Sequence, residues 1–151
     1  MKKIILLVCG ICLTQIVLGQ IRKALIGKWQ AESAEVTSMY HDSYQFFNNG
    51  KFLFNPDEYN GLNRIISISG TYRLKGDTLF LTPLFTKEIA GGYIIRSEST
   101  TLSDTWEIIG GQEKRILINK RRIQSAILKI ASNNKELTLD NRKFYKVGSG
   151  E

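Results

Sequence analysis

The sequence predicts an all-β domain, folded as a sandwich or a barrel of roughly eight to eleven short strands. Short apolar or alternating runs recur along the chain and are separated by Gly, Asn and Asp residues that favour turns. The length of 151 residues matches one domain, and a hydrophobic content of 42% is enough for a core. No internal repeat, low-complexity segment or Pro-rich linker divides the chain.

The N-terminal segment has the pattern of a secretory signal peptide. Met1–Gly19 begins with two lysines, continues with the uncharged apolar stretch Ile4–Leu13, and ends with Val17 and Gly19 placed for cleavage before Gln20. An uncleaved anchor is the weaker alternative, because a spanning helix needs about 20 apolar residues. We therefore expect a signal peptide over residues 1–19 and a single domain over residues 20–151.

Both cysteines lie in the predicted leader. Its removal would take Cys9 and Cys12 with it and would exclude disulfides, thiol catalysis and Cys-ligated metal sites from the mature protein. Val8 and Ile11 precede the cysteines, whereas a lipid-modified Cys needs a small residue before it, so lipoprotein anchoring is a minority alternative. We expect export to the periplasm or the exterior, with no stable membrane insertion after cleavage.

The first strands are expected at Trp29–Val36, Tyr44–Phe47 and Lys51–Asn55. Asn48-Asn49-Gly50 separates the second from the third, and Asn-Gly favours hairpin turns because both residues tolerate positive φ. This pattern strongly predicts a hairpin.

The next stretch, Arg64–Leu74, alternates between apolar and polar residues, as a strand does when one face covers a core. Gly70 interrupts its apolar face and indicates a bend or bulge. Lys75-Gly76-Asp77 predicts a turn, after which Thr78–Thr82 returns as a second hairpin.

Six later strands are expected, at Gly92–Ser97, Thr105–Ile109, Arg115–Asn119, Ile123–Ala131, Glu136–Leu139 and Lys143–Val147. Gly91-Gly92 and Gly110-Gly111 are interpreted as turns. Lys120–Ile130 also fits a helix, although its β neighbours favour a strand. A short helix between Leu84 and Ala90 is a weaker alternative.

Several of these features together resemble the lipocalin superfamily, and more closely the small exported lipocalin-like domains of Bacteroidetes. They are Gly27-Lys28-Trp29, the aromatic hairpin Phe46–Phe54, the Gly-x-Tyr-x-Leu-x-Gly-Asp-x-Leu element Gly70–Leu79, and the closing segments Leu137–Leu139 and Phe144–Tyr145. The resemblance implies a single antiparallel up-and-down β-barrel of about 8–10 strands, whose closed end Trp29 would plug.

The sequence also departs from the large secreted lipocalins, since their Thr-Asp-Tyr loop motif is absent. Those proteins place a late Arg over the first-strand Trp. Arg142 is the nearest candidate here, although it looks like a turn residue, and Lys146 lies in the last strand.

Residues suited to catalysis or metal binding are sparse. The single histidine, His41, beside Asp42, is expected to be a solvated loop residue, and a zinc site needs three or four ligands. The acidic residues Asp57-Glu58, Glu98, Asp104 and Glu107 are interpreted as solvated. No nucleophile elbow or phosphate-binding Gly loop is present. We expect no enzyme, metal or cofactor, with a carboxylate-dependent enzyme as a distant alternative.

The densest basic tract runs from Lys114 to Arg122, with Lys129 beyond it. Nucleic-acid binding would require interleaved exposed aromatics, which the tract lacks, and export removes cellular nucleic acid as a partner. The tract either discourages edge association or orients an anionic ligand at a barrel rim.

The candidate ligand-binding residues are the aromatics expected to face inward and one basic residue: Tyr44, Phe46, Phe52, Phe54, Tyr72, Trp106 and Arg122. Trp29 and Gly70 are assigned structural roles. The leading hypothesis is a monomeric, non-catalytic domain that binds a small hydrophobic or anionic amphiphilic ligand in a barrel mouth. The alternative is an envelope interaction or structural module with a filled barrel, which acts through loops such as Asn55–Asn63 and Leu84–Ala90.

Overall fold

The computed structural model describes residues 21–33, 41–57, 61–96, 106–120 and 122–148. The predicted leader and its cysteines lie outside these residues. The described chain contains a helical turn over residues 21–25 and nine strands: β1 Gly27–Ala31, β2 Ser43–Phe46, β3 Lys51–Asn55, β4 Ile65–Lys75, β5 Thr78–Arg96, β6 Trp106–Leu117, β7 Gln124–Ile130, β8 Glu136–Leu139 and β9 Arg142–Val147.

Eight of these strands close into an antiparallel barrel. β1 to β5 pair in chain order, β5 pairs with β7, and β7 to β9 continue round until β9 pairs with β1. Because the described strands β1 to β5 and β7 to β9 each pair with a neighbour on both sides, their sheet has no free edge strand. The predicted all-β, up-and-down barrel with a lipocalin-like architecture is confirmed.

The ninth strand, β6, forms an arm with the second half of β5. β5 has 19 residues, and its Phe85–Arg96 segment pairs with β6 from Leu117 back to Trp106. Beyond Glu88 this two-stranded ribbon leaves the barrel, because the pairing of β4 with β5 stops there. We call residues 89–96 and 106–113 the arm.

Two expectations for this region are wrong. Gly91-Gly92 and Gly110-Gly111 lie inside the arm, in β5 and β6, rather than in turns. Gly91, Gly92 and Gly110 have positive φ, which glycine adopts without strain, so the glycines bend the ribbon instead of ending its strands. The weakly supported helix at Leu84–Ala90 is also absent, because this segment belongs to β5.

Most of the remaining strand predictions are confirmed, but two pairs of predicted strands are each one continuous strand. Thr78–Thr82 and the described part of Gly92–Ser97 both belong to β5, and the described part of Thr105–Ile109 and the start of Arg115–Asn119 both belong to β6. β3 and β8 have the predicted bounds, and Lys120–Ile130 contributes a strand from Gln124 onwards rather than a helix. Gly50 and Gly76 take positive φ in the two predicted hairpin turns. The predicted first strand, Trp29–Val36, is observed as β1 up to Ala31, and Val36 lies outside the described residues.

A bulge interrupts the wall opposite Gly70. Ser69 pairs with Phe85 but Gly70 pairs with Pro83, so Leu84 is the extra residue. A Cβ on Gly70 would lie 2.1 Å from the Thr82 carbonyl oxygen. Only glycine therefore fits at this close approach of β4 and β5.

The helical turn covers one end of the barrel. Leu25 and Trp29 are completely buried there, and the Trp29 indole Nε1 donates a hydrogen bond of 2.7 Å to the Leu25 carbonyl. The Lys146 ammonium lies 5.1 Å from the Trp29 ring centre and donates to the Ala24 carbonyl at 3.1 Å. The cation over the tryptophan is thus Lys146 of the last strand and not Arg142, the nearest arginine candidate in the sequence.

Side chains fill the interior next to this closed end. The largest ones with almost no exposure are Trp29, Phe46, Phe144, Leu25, Leu79 and Leu137. Inward positions alternate along the strands of the barrel wall, so these strands contribute their apolar faces to one core, whereas β6 contributes no buried residue. Among the described residues, the barrel interior is therefore filled next to Trp29 and opens at the opposite end.

Candidate functional site

The barrel mouth, at the opposite end, contains a cavity of about 240 Å³. It lies where β2 begins and β8 ends, so its walls are the last inward residues of those strands and their neighbours. Its lining residues are Tyr44, Phe54, Leu81, Gln124, Ser125, Ala126, Leu139, Asp140, Arg142 and Phe144.

Aromatic rings form one wall of the mouth. The Tyr44 ring lies 4.7 Å from the Phe54 ring and 5.5 Å from the Phe144 ring, the latter edge to face. Below them, Phe46 stacks against Tyr44 at 5.7 Å. Offset and edge-to-face pairs are the favourable aromatic arrangements, so this wall is rigid as well as apolar.

An ion pair closes one side of the mouth. The Arg142 guanidinium donates to the Asp42 carboxylate, whose other oxygen accepts a 2.9 Å hydrogen bond from the Asp57 backbone N–H. The Asp42 side chain is only 15% exposed, whereas that of Arg142 is 50% exposed. The guanidinium also lies 5.5 Å from the Phe144 ring centre. The pair ties the segment before β2 to the start of β9.

Tyr44 brings a hydroxyl group into this apolar surrounding. Burial raises the pKa of this phenol above its ordinary value, the Asp42 carboxylate raises it further, and the Arg142 guanidinium partly opposes both. The phenol is therefore neutral across the physiological range. It has no hydrogen-bond partner among the described residues, so it is free to donate to a bound molecule.

The dimensions of the mouth limit what it can hold. An apolar protein cavity of about 150 Å³ is enough for benzene. The mouth is somewhat larger than that and below the usual range of drug-sized pockets, which starts at about 300 Å³. It matches a molecule of one ring, or a short chain, with a few further atoms.

The predicted ligand-binding residues are divided by the structure. Tyr44 and Phe54 line the mouth, whereas Phe46, Phe52 and Tyr72 are buried in the core beneath it. The Tyr72 hydroxyl donates to the Phe47 carbonyl at 2.9 Å and is already satisfied.

Two predicted residues lie elsewhere. Trp106 is 50% exposed on the arm, so its expected inward placement is wrong. Arg122 is exposed in the connection between β6 and β7 and does not line the mouth cavity.

Sequence reasoning missed Phe144 and Arg142 as mouth residues. Period-2 alternation along β9 places Arg142, Phe144 and Lys146 on one face. Because Phe144 is buried, that face is the inner one, with Lys146 at the closed end and Arg142 at the mouth. The alternation that identifies these residues is present in the sequence, but Arg142 resembles a turn residue there because it is the first residue of its strand.

The other candidate chemical groups do not form a site. His41 is half-buried, and its Nδ1 lies 3.5 Å from a Glu32 carboxylate oxygen. Glu58, Glu98 and Asp104 lie outside the described residues. Within the described ranges, no three His, Cys, Asp or Glu side chains are grouped as metal ligands. No helix in this part of the chain is long and apolar enough to span a membrane.

Comparison with known families agrees with this architecture. The model of the family described as "Lipocalin-like domain" matches residues 25–106, more than half of the chain. No curated protein and no solved structure gives a significant match. The matched segment runs from Leu25, which is buried at the closed end, through the paired strands β4 and β5 to the first residue of β6 in the arm. On the family match and the closed eight-stranded barrel, the chain belongs to the lipocalin-like domain family.

Proposed function

We propose that this protein binds one small, mainly apolar ligand in the barrel mouth and does not catalyse a reaction on it. The observation that carries this proposal is the 240 Å³ cavity bounded by Tyr44, Phe54 and Phe144, with the phenol hydroxyl unpartnered among the described residues. The aromatic wall would cover an apolar ring, and the hydroxyl would bind one polar group of the ligand. A lipocalin-like barrel supports a binding or a structural role.

The charges at the mouth favour an uncharged ligand. Arg142 already pairs with Asp42, and Asp140 adds a further negative charge among the lining residues. An anionic head group would meet no unpaired cation among the described lining residues of the mouth. This proposal therefore replaces the anionic end oriented by Arg122 with a neutral hydrogen-bonding group, such as an alcohol or an amide.

Binding should be tested first by native mass spectrometry of gently purified Gln20–Glu151, followed by denaturing extraction of anything bound. The variant Ala126→Phe places a ring in the mouth, because Ala126 faces inward and lines the cavity. Ile127→Phe is the matched control, since its neighbour Ile127 is half-exposed on the wall.

The proposal requires a stoichiometric small molecule, or titratable binding of benzyl alcohol, in wild type and Ile127→Phe but not in Ala126→Phe. Equal binding by the two variants would place the ligand elsewhere. No binding to the wild type would leave a structural role for the barrel.

We also propose that Met1–Gly19 is removed on export to the periplasm or the exterior. The predicted cleavage before Gln20 lies immediately ahead of the helical turn over residues 21–25, so it would leave the buried Leu25 plug intact. Intact mass of the exported protein tests this. A mass that retains Met1 would refute cleavage, and added lipid mass on a Cys would indicate a lipoprotein.

A second candidate function is contact with an envelope protein through the arm. Ile94 and Trp106 are 55% and 50% exposed on one face of the arm, and Tyr93 is 62% exposed on the other face. An exposed apolar patch such as that of Ile94 and Trp106 often marks an interaction site. A photo-crosslinker at position 94 should then repeatedly capture one protein in intact cells, whereas one at the exposed wall residue Lys129 should not. Equal capture patterns at both positions would contradict this function.

A further inference from the structure

The outer wall of the barrel carries a second depression, unconnected to the mouth. It has a volume of about 330 Å³ and lies over β3, β4, β5 and β6. Strand pairing fixes the face on which it opens. Lys51 pairs with Thr71, Leu53 with Ser69, and Ser69 with Phe85, and directly paired residues point to the same side of a sheet.

These residues alternate with Phe52, which is buried in the core, so the depression opens outward. We call it the outer groove.

The floor of the outer groove is apolar and follows from the bulge opposite Gly70. The extra residue, Leu84, joins Phe85, Leu53 and Phe47 among the lining side chains. Phe47 is 37% exposed and the other three are partly buried. The groove therefore offers contact area for an apolar ring or short chain.

One guanidinium is held at the edge of the groove. The Arg115 Cζ lies 3.7 Å from the centre of the Phe85 ring, on which it stacks. A stacked guanidinium keeps its N–H donors in its own plane, where they can bind both oxygens of a carboxylate. No carboxylate among the described residues pairs with Arg115.

The charge around the groove is positive. Lys51 and Arg115 are its two charged lining residues. Lys87 shares the outer face and is already paired with Glu113 at 2.5 Å. Arg73, on the same face beyond Thr71, adds another cation, held 4.8 Å from the Phe80 ring centre. An anion would be attracted by this positive charge, whereas the described lining of the mouth has no surplus of positive charge.

We propose that the outer groove is a second ligand site, specific for a small organic carboxylate with one ring or a short chain. The apolar part lies on Leu53, Leu84 and Phe85, and the carboxylate binds the in-plane N–H groups of Arg115 with Lys51 nearby. The site shares no lining residue with the mouth and binds a negatively charged ligand, whereas the mouth is proposed to bind an uncharged one. It goes beyond the proposed function, because it stands whether or not the mouth binds anything.

The test is a titration of ¹⁵N-labelled Gln20–Glu151 with 3-phenylpropionate, compared with the uncharged 3-phenylpropanol. The carboxylate should shift the amide signals of Leu53, Thr71 and Leu84, and 0.5 M NaCl should weaken its binding. Arg115→Gln should raise its Kd about fivefold, as expected for a partly exposed charge-assisted contact of about 1 kcal/mol.

Lys114→Gln is the matched control. Lys114 neighbours Arg115 in β6, is exposed, and points to the other face of the ribbon, so its removal changes net charge equally without touching the groove. Its Kd should change less than twofold. A second variant, Leu53→Glu, should repel the carboxylate and abolish the shifts.

The proposal is overturned by an absence of shifts, by shifts confined to mouth residues, or by equal effects of Arg115→Gln and Lys114→Gln. Failure of the mouth proposal would appear separately, as loss of 3-phenylpropanol shifts at Tyr44 and Phe144 with the groove shifts intact.

Discussion

The glycine at position 70 should be the least replaceable residue of the barrel wall. Its substitution by alanine adds one methyl group where β4 and β5 approach most closely. The new Cβ would lie 2.1 Å from the Thr82 carbonyl oxygen, and 2.9 Å from both Phe52 Cε1 and Pro83 Cα. Two of these three atoms belong to the backbone of β5, so they cannot move aside without disturbing the strand pairing.

The magnitude follows from the cost of overpacking a rigid site. Extra carbon atoms in a well-packed core typically cost about 1–3 kcal/mol. The backbone contact and the nearly buried Phe52 ring place Gly70→Ala at the upper end, about 3 kcal/mol. For a domain of this size, a loss of 1 kcal/mol lowers the melting temperature by about 4 °C, so we expect a decrease of roughly 12 °C.

Urea denaturation followed by far-UV circular dichroism measures this loss directly. Gly148→Ala is the matched control, because a Cβ there meets nothing within 4 Å. It should change the free energy of unfolding by less than about 0.5 kcal/mol. If Gly70→Ala is as stable as the control, the wall has room for a side chain and the argument from close approach is refuted.

Three further predictions concern charged and titrating groups. Lys146→Met removes the ammonium from the Trp29 ring and should lower the free energy of unfolding, measured by urea denaturation, by about 1–2 kcal/mol. Lys146→Arg keeps the charge and should lose much less. Equal losses in the two variants would contradict a role for the charge. Because burial raises the pKa of the Tyr44 phenol, the folded state favours the neutral form. The neutral phenol therefore makes its full contribution to the stability of the folded state below pH 10, and this contribution decreases as the pH rises further. The free energy of unfolding of wild type relative to Tyr44→Phe should therefore fall above pH 10, and a constant difference would contradict the shift. Arg142→Met leaves the Asp42 carboxylate without its partner and should lower the free energy of unfolding in urea denaturation by about 1–2 kcal/mol. The same substitution at its exposed neighbour, Lys143→Met, should lower it by less than about 0.5 kcal/mol. Similar losses in both variants would contradict the importance of the ion pair.

The wall of the barrel was predictable because its strands obey local rules. Alternation and turn chemistry gave β3 and β8 with their observed bounds, and the Asn-Gly turn gave the first hairpin. The arm was not predictable in the same way. A glycine pair inside a strand and a glycine pair in a turn look alike in sequence, and only the pairing of Gly91 with Gly111 distinguishes them. Trp106 was misplaced for the same reason, since its environment depends on how far the ribbon projects.

Predicting the residues of the mouth requires the register between strands, which the sequence of one strand alone does not contain. Alternation puts Arg142 and Lys146 on the inner face of β9, but it cannot say which end of the barrel each one occupies. Pairing decides this, because Lys146 lies opposite Trp29 and Arg142 opposite Leu139. A cation therefore seals the closed end, and another borders the open one. The outer groove depends on the bulge opposite Gly70. Gly70 indicates a bend or bulge in the sequence, but only the pairing of β4 with β5 shows that the extra residue is Leu84.

The unequal packing of the two ends is itself an argument for binding at the mouth. A sealed, empty cavity costs about 24 cal/mol per Å³, so an enclosed void as large as the mouth would cost about 6 kcal/mol, comparable with the whole stability of a small domain. The mouth avoids most of this cost by opening to solvent, which leaves the aromatic faces of Tyr44 and Phe54 partly hydrated, whereas Phe144 stays buried behind them. A ligand that covers these rings gains the transfer free energy of that apolar surface, about 25 cal/mol per Å². Affinity at the mouth should therefore increase with the ring area covered up to the size of the cavity. It should fall sharply for larger molecules, because the filled closed end allows no deeper entry.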